Sequence, residues 1–230
     1  LIVTRCMEND DGIYGVIPEF SAYKKELQKK KQKKMGVEED KPGEPDVLEE
    51  IVEETVEPDL YSKDEGTIFQ FYEKSTGKPY PGKGVGETIK LEHEKKYMEL
   101  SKIKDWRKKL SNFDNVRFSL DGHTWNSVEH YYTANKFKRN NPAFYNKFTG
   151  ETGKFKKLLI RPKEVVADFD FFEGKNSDQV MERAMRAKFS QDESSKRTLL
   201  ETKDAKLNHF SRGSQPVTYY NLMRVRNELK

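Results

Sequence analysis

The sequence predicts a helix-dominated α+β domain with a few short strands, preceded by a charged extension. Three observations carry that expectation. The chain holds 14 Phe, 11 Tyr and 2 Trp, too many rings for a disordered polymer. Its charge divides near residue 60. Beyond that point, short strand-like apolar runs alternate with segments that carry helix-start signals. A length of 230 residues allows one large domain or two small ones. No stretch approaches the roughly 18 to 20 apolar residues of a membrane span. A single cysteine, Cys6, excludes an internal disulfide and a multi-cysteine zinc site. The chain therefore reads as soluble and intracellular. It starts at Leu1 without a signal or transit peptide, as expected for a fragment or processed product attached to a larger polypeptide.

Residues 1–60 form the extension. They hold 9 Lys/Arg against 16 Asp/Glu, a net −7, which leaves 34 against 23, a net +11, for 61–230. Gly12–Phe20 is apolar enough to dock, so 1–23 reads as an anchoring strand or irregular segment. A lysine run (Lys24 to Lys34) then meets an acidic run (Glu38 to Glu57) broken by Pro42 and Pro45. Such blocks are solvated linkers or exposed helices more often than nucleic-acid arms. One or two helical turns are expected around Asp46–Val56.

The domain spans 61–230. Thr67–Tyr72 has strand composition, and the loop to Glu87 is rich in glycine and proline. Glu92–Leu110 reads as one or two helices, with Tyr97, Leu100, Ile103 and Trp106 roughly in helical register. Phe118–Trp125 reads as two strands about an Asp121-Gly122 turn. A helix follows from Asn126 or Ser127 to about Arg139, and Asn126 with Glu129 fits a capping box. Asn176 or Ser177 caps another through Phe189, with Val180, Ala184, Met185 and the Lys188 stem on one face. Glu193–Thr202 and Tyr220–Leu229 complete the helices. Met181, Met185, Leu199, Leu200, Leu222, Met223 and Val225 read as core.

Candidate chemistry is concentrated in two places. Pro81–Gly86 suggests a phosphate loop, yet it lacks the Gly-Lys-Ser/Thr ending of an ATPase motif; glycines beside Lys83 still permit backbone approach to an anion. In Trp125–Phe137, Glu129, Tyr132 and Lys136 fall at i, i+3 and i+7 and share a helix face. On spacing alone, a helix-capping glutamate and a surface lysine explain that face better than a site does. His93, His123, His130 and His209 lack metal-ligand spacing, and no Gly-x-Ser-x-Gly elbow occurs. Neither metal nor organic cofactor is implied.

Trp125-x-Ser-Val-Glu-His-Tyr-Tyr-x-Ala-x-Lys-Phe137 resembles the signature of the NADAR, or YbiA-like, family. Leu110–Phe113 precedes it in the expected order, and Val180–Ser190 and Leu222–Arg226 follow it. The match covers roughly 67–230. It implies a compact α+β domain that hydrolyses N-glycosidic bonds of nucleotide-like substrates. Known activities of the family include cleavage of riboflavin-pathway intermediates and removal of ADP-ribose from guanine in nucleic acid. Its occurrence in viruses and phages implies a virus- or phage-type setting, as a counter to host ADP-ribosylation or NAD-based defence.

Under that resemblance, Glu129 stabilises the oxocarbenium-like transition state or activates water. Lys136, Lys83 or Arg107 binds phosphate or assists the leaving base, and Trp125 and Tyr132 stack on a base or ribose. Asn112 and Phe113 belong to the binding surface. The implied partner is a nucleotide or ADP-ribose-type ligand, or nucleic acid; the +11 charge does not choose between them. Three departures from the family pattern stand out. The C-terminal Trp-Gly element is missing, and Phe171 and Phe172 stand where a tryptophan is usual. The insertion between Tyr72 and Ser111 is also long. These features imply either a divergent pocket using Lys83, Gly84, Glu87, His209 and Arg212, or a non-catalytic binding or structural module.

Overall fold

The computed structural model describes residues 66–73, 75, 80–150, 155–211 and 215–230. All but Ser211 belong to one unit, Asp59–Phe210 with Gln215–Lys230. The extension expected over 1–60 lies outside the described residues. In chain order the elements are β1 (Ile68–Phe71), a 3-10 helix (Leu91–Tyr97), α1 (Met98–Ser101), α2 (Trp106–Lys109), β2 (Phe118–Leu120) and β3 (His123–Trp125). Then come α3 (Val128–Asn135), α4 (Pro142–Asn146), α5 (Phe155–Leu158), a second 3-10 helix (Phe169–Phe172) and α6 (Asn176–Gln191). The chain closes with α7 (Glu193–Glu201), β4 (Lys206–His209), β5 (Val217–Thr218) and α8 (Tyr220–Glu228). The helix-dominated α+β class holds. No helix among the described residues is long and apolar enough to cross a membrane.

The long helix α6 is the hub: α3, α7, α8 and the β2–β3 hairpin all pack on it. Ala184, Met185 and Phe189 face inward, following the helical repeat. The main sheet has order β1-β4-β5. β1 and β4 run parallel, pairing Phe71 with His209, and β5 runs antiparallel to β4. The carboxyl ends of the parallel pair therefore lie together. The β2–β3 hairpin turns through Asp121 (φ 53°) and Gly122 (φ 74°), the two positive φ values of a type I′ turn that the Asp-Gly pair predicts.

Three helix expectations are corrected. Glu92–Leu110 is a 3-10 helix and two single turns, broken where Asp105 adopts the left-handed conformation (φ 53°, ψ 36°). Residues spaced every third position drift around an α-helix, so a continuous one would put Trp106 about half a turn from Tyr97. The break lets both rings meet Phe69, at 5.0 and 5.4 Å. The helix predicted to reach Arg139 stops at Asn135. Beyond it the Asp168 carboxylate accepts the Arg139 and Asn140 amides, each at 2.8 Å, and the Asp168 amide donates to the Lys136 carbonyl at 2.6 Å. Finally, α6 has no side-chain cap; Asn176 donates instead to the Asp170 carbonyl.

Candidate functional site

Helix α3 is capped by Ser127, whose backbone is extended (φ −164°, ψ 165°) and whose hydroxyl accepts the His130 amide. Burial depresses His130 to a pKa of about 4, so its ring is neutral, and Nδ1 shares a hydrogen bond with the Ser127 hydroxyl at 2.7 Å. Asn126 is not the cap: its amide donates to the Gly150 carbonyl at 2.9 Å. The predicted capping box does not form, and Glu129 is left without a capping role.

Glu129 is half-buried. Its Oε1 accepts from the Thr133 hydroxyl at 3.2 Å, one turn on. Its pKa is raised, chiefly because the surrounding protein desolvates the carboxylate; Lys136 and the Thr133 hydrogen bond oppose the shift, and Glu73 adds to it. Lys136 lies on the same face with 5% exposure. Desolvation lowers its pKa to about 8 against the pull of Glu129. Its ammonium sits 4.7 Å from the centre of the Tyr132 ring. The face therefore carries a carboxylate and an ammonium, both stripped of much of their hydration.

A wall connects Glu129 to the carboxyl ends of the parallel strands. The Glu129 amide donates to the Asn112 carbonyl at 3.0 Å. The Asn112 side-chain amide donates to the Tyr219 hydroxyl at 2.6 Å and contacts Met181 Sδ at 3.2 Å. The Tyr219 ring packs against His209 at 5.5 Å and Phe71 at 5.7 Å. Burial depresses His209 to about 4, so this histidine is neutral. Phe113 packs edge-on to Phe155 at 5.6 Å. Sequence reasoning missed Thr133, Tyr219 and Glu73. Thr133 was findable as the i+4 neighbour of Glu129; Tyr219 and Glu73 carry no local signal.

Other predicted residues assemble elsewhere. Glu87 accepts Arg107 in a bidentate pair, Nε to Oε1 and Nη2 to Oε2, both at 2.6 Å. The same carboxylate accepts the amides of Gly82 (3.1 Å), Gly84 (2.9 Å) and Gln70 (3.3 Å). The loop amides that would cradle a phosphate thus already hold an internal anion. Glu87, Gly84 and Arg107 are tied to one another in a structural knot, and Arg107 also stacks 4.1 Å from the Trp106 ring. Lys83 is exposed and pairs with Glu94 at 3.7 Å. Arg212 lies outside the described residues.

Trp125 is corrected as well. It is fully buried, its indole N–H donates to the Leu120 carbonyl at 2.9 Å, and Tyr131 and Tyr145 meet its ring edge-on. It is a core residue, and neither ring face is open to solvent. Tyr132, 4% exposed, packs edge-on to Phe171 while Lys136 covers its face. Among the described residues no cluster of His, Cys, Asp or Glu could hold a metal. A separate depression of about 720 Å³ is lined by Lys104, Lys108, Lys109, Asp114 and Arg197 among others, and does not include Glu129.

The pieces recognised in order along the sequence therefore converge in space: Leu110–Phe113 holds Glu129 of the signature, and α6 packs against its helix. A NADAR domain model matches residues 90–214, more than half of the chain. The chain belongs to the NADAR family. Members are known in general terms for N-glycosidase-type activity. Among solved structures, the chain is similar to the E. coli protein YbiA determined by NMR, with a TM-score of 0.49 and 23% identity over 71% of this chain and 85% of that one. No curated protein matches it.

Proposed function

We propose that this NADAR protein is an N-glycosidase that hydrolyses the ribose–base bond of an ADP-ribosylated or related nucleotide, such as ADP-ribosyl-guanine in nucleic acid. Glu129 is the catalytic carboxylate. The observation that carries the reading is its setting: a partly accessible carboxylate in the first turn of α3, desolvated, with one side-chain hydrogen bond and the buried Lys136 on the same face. A carboxylate so placed is a stronger base than one in water, and its charge is poorly screened.

As the C1′–N bond lengthens, positive charge gathers on the ribose, and Glu129 stabilises it. Water adds to C1′ and gives a proton to Glu129, while the base leaves with a proton from Lys136. With a pKa of about 8, Lys136 is charged at neutral pH yet a far better acid than an ordinary lysine. Solvent then returns the proton from Glu129 to Lys136, closing the cycle. The test is hydrolysis of ADP-ribosylated guanine in DNA, with NAD, ADP-ribose and riboflavin-pathway intermediates alongside, by wild type and Glu129→Gln. Product from wild type alone is the expected result. Binding without turnover by wild type would instead make the protein a non-catalytic ADP-ribose or nucleic-acid module.

A further inference from the structure

We infer that Asn112 is a positioning residue, clamped by Tyr219 on its side chain and by Lys188 on its loop, so that its carbonyl fixes the helix turn carrying Glu129. The inference rests on the reading of Glu129 given above and adds residues that reading does not use.

The first amides of a helix have no acceptor inside it. Ser127 answers one of them, at His130. The Glu129 amide is answered from outside the helix, by the Asn112 carbonyl at 3.0 Å. The position of Glu129 is therefore set by the 109–113 loop as much as by α3. That loop is itself held from α6: the wholly buried Lys188 ammonium donates to the carbonyls of Lys109 (2.7 Å) and Ser111 (2.9 Å), bracketing Leu110. Within the loop, the Ser111 hydroxyl accepts the Phe113 amide at 3.2 Å. Tyr219, just ahead of α8, takes the Asn112 amide at 2.6 Å, and Met181 on α6 adds a contact at 3.2 Å. A hydrophobic side chain at position 188 would fill the same space without burying a charge. What the ammonium adds, besides an ion pair with Asp114 at 3.8 Å, is the direction of two carbonyls, and thereby the setting of the next residue, Asn112.

Tyr219→Phe removes one oxygen and keeps the ring that packs on Phe71 and His209, so the fold survives the test. Amide hydrogen exchange in the full chain reads the clamp without reference to activity. Protection of the Glu129 amide should fall about tenfold, the scale of one neutral hydrogen bond, while the Ala184 and Met185 amides of α6 stay unchanged. In the hydrolysis assay, kcat should fall about tenfold with KM unchanged, and the acidic limb of the pH profile, set by Glu129, should move. Lys188→Met should act in the same direction; if it does not fold, Tyr219→Phe decides alone. Unchanged Glu129 protection in Tyr219→Phe would overturn the inference, as would a raised KM at constant kcat, which would place Asn112 and Tyr219 on the substrate instead. Should wild type hydrolyse nothing, the functional reading fails while the exchange measurement still judges the clamp.

Discussion

Glu87 and Glu129 are both sheltered glutamates that face a cation, and the protein uses them in opposite ways. Glu87 has its side chain wholly buried and accepts five hydrogen bonds, two from Arg107 and three from backbone amides. Among the described residues, Glu129 accepts one side-chain hydrogen bond and has its cation at a distance. A buried charge whose lone pairs are all matched is committed to structure; one left under-matched keeps free energy available for chemistry. With Glu129 as the proposed catalytic carboxylate, reactivity follows from what a carboxylate lacks, and sequence composition cannot express that. Glu87 lies among glycines and lysines that suggest ligand binding, whereas Glu129 sits where a helix-capping residue would.

The sharpest way to break the comparison is Glu129→Gln. Activity should fall by about 10² to 10⁴, the range for loss of a positioned acid–base group. Stability should not fall. Because the folded-state pKa of Glu129 is raised, the folded protein binds the proton more tightly than the unfolded chain does. Above the unfolded value the ionised carboxylate therefore costs stability, and a neutral amide relieves that cost at pH 7. A thermal melt beside the assay checks both halves. A variant that melted well below wild type would mean that Glu129 is a structural residue like Glu87.

The mirror experiment is Arg107→Met, which strands the Glu87 carboxylate among three amides. Removing one partner of such a pair should cost about 3 to 5 kcal/mol in denaturant unfolding. The folded fraction should keep its turnover, since the knot is built around Glu87 and not around Glu129. Lost turnover at full stability would return Arg107 to the substrate.

A subtler distinction lies in pH. If Lys136 is the acid, kcat/KM should decline as pH rises through about 8. Titration of the two buried lysines would not make unfolding the cause of that decline. Lys136 and Lys188 both have folded pKa values near 8, below the ordinary lysine value of 10.5. Between pH 8 and 10 the unfolded chain therefore binds more protons, and these groups make stability rise with pH. Activity falling while the melting temperature holds or rises would assign the limb to Lys136 chemistry. Lys136→Met should abolish the limb along with most of the rate.

Much of this architecture was legible because it is local. The Asp121-Gly122 turn, the α6 face and the short helices α7 and α8 each follow from neighbouring residues. What escaped was long-range. β4 and β5 are four and two residues long; β4 pairs with β1, more than 130 positions earlier, and β5 pairs in turn with β4. Trp125 read as a stacking surface because an aromatic residue beside a polar helix looks the same whether it faces solvent or core. Only the hairpin carbonyl of Leu120 and the rings of Tyr131 and Tyr145 settle its place. The Glu129–Tyr132–Lys136 face was legible from spacing. Its hydration was not, because that depends on Asn112, Met181 and Phe171 arriving from elsewhere.

The smallest expected effect bears on why Glu129 is available at all. Asn126 and Ser127 are both good capping types, and the structure uses Ser127. Ser127→Ala should cost about 0.5 to 2 kcal/mol, with some loss of activity, because the helix start it fixes also sets the direction of Glu129. It removes the acceptor of the His130 amide and the hydrogen-bond partner of His130 Nδ1 together. Asn126→Ala loses only the bond to the Gly150 carbonyl, so its cost should fall at the low end of a single hydrogen bond, about 0.5 kcal/mol, with turnover intact. If the order were reversed, Asn126 would be the working cap three residues ahead of Glu129, the capping box would form, and the carboxylate would be held by the Asn126 amide. Glu129 would then be matched in the way Glu87 is, and the contrast between them would disappear. Equilibrium unfolding of the two alanine variants, measured side by side, reads that difference directly.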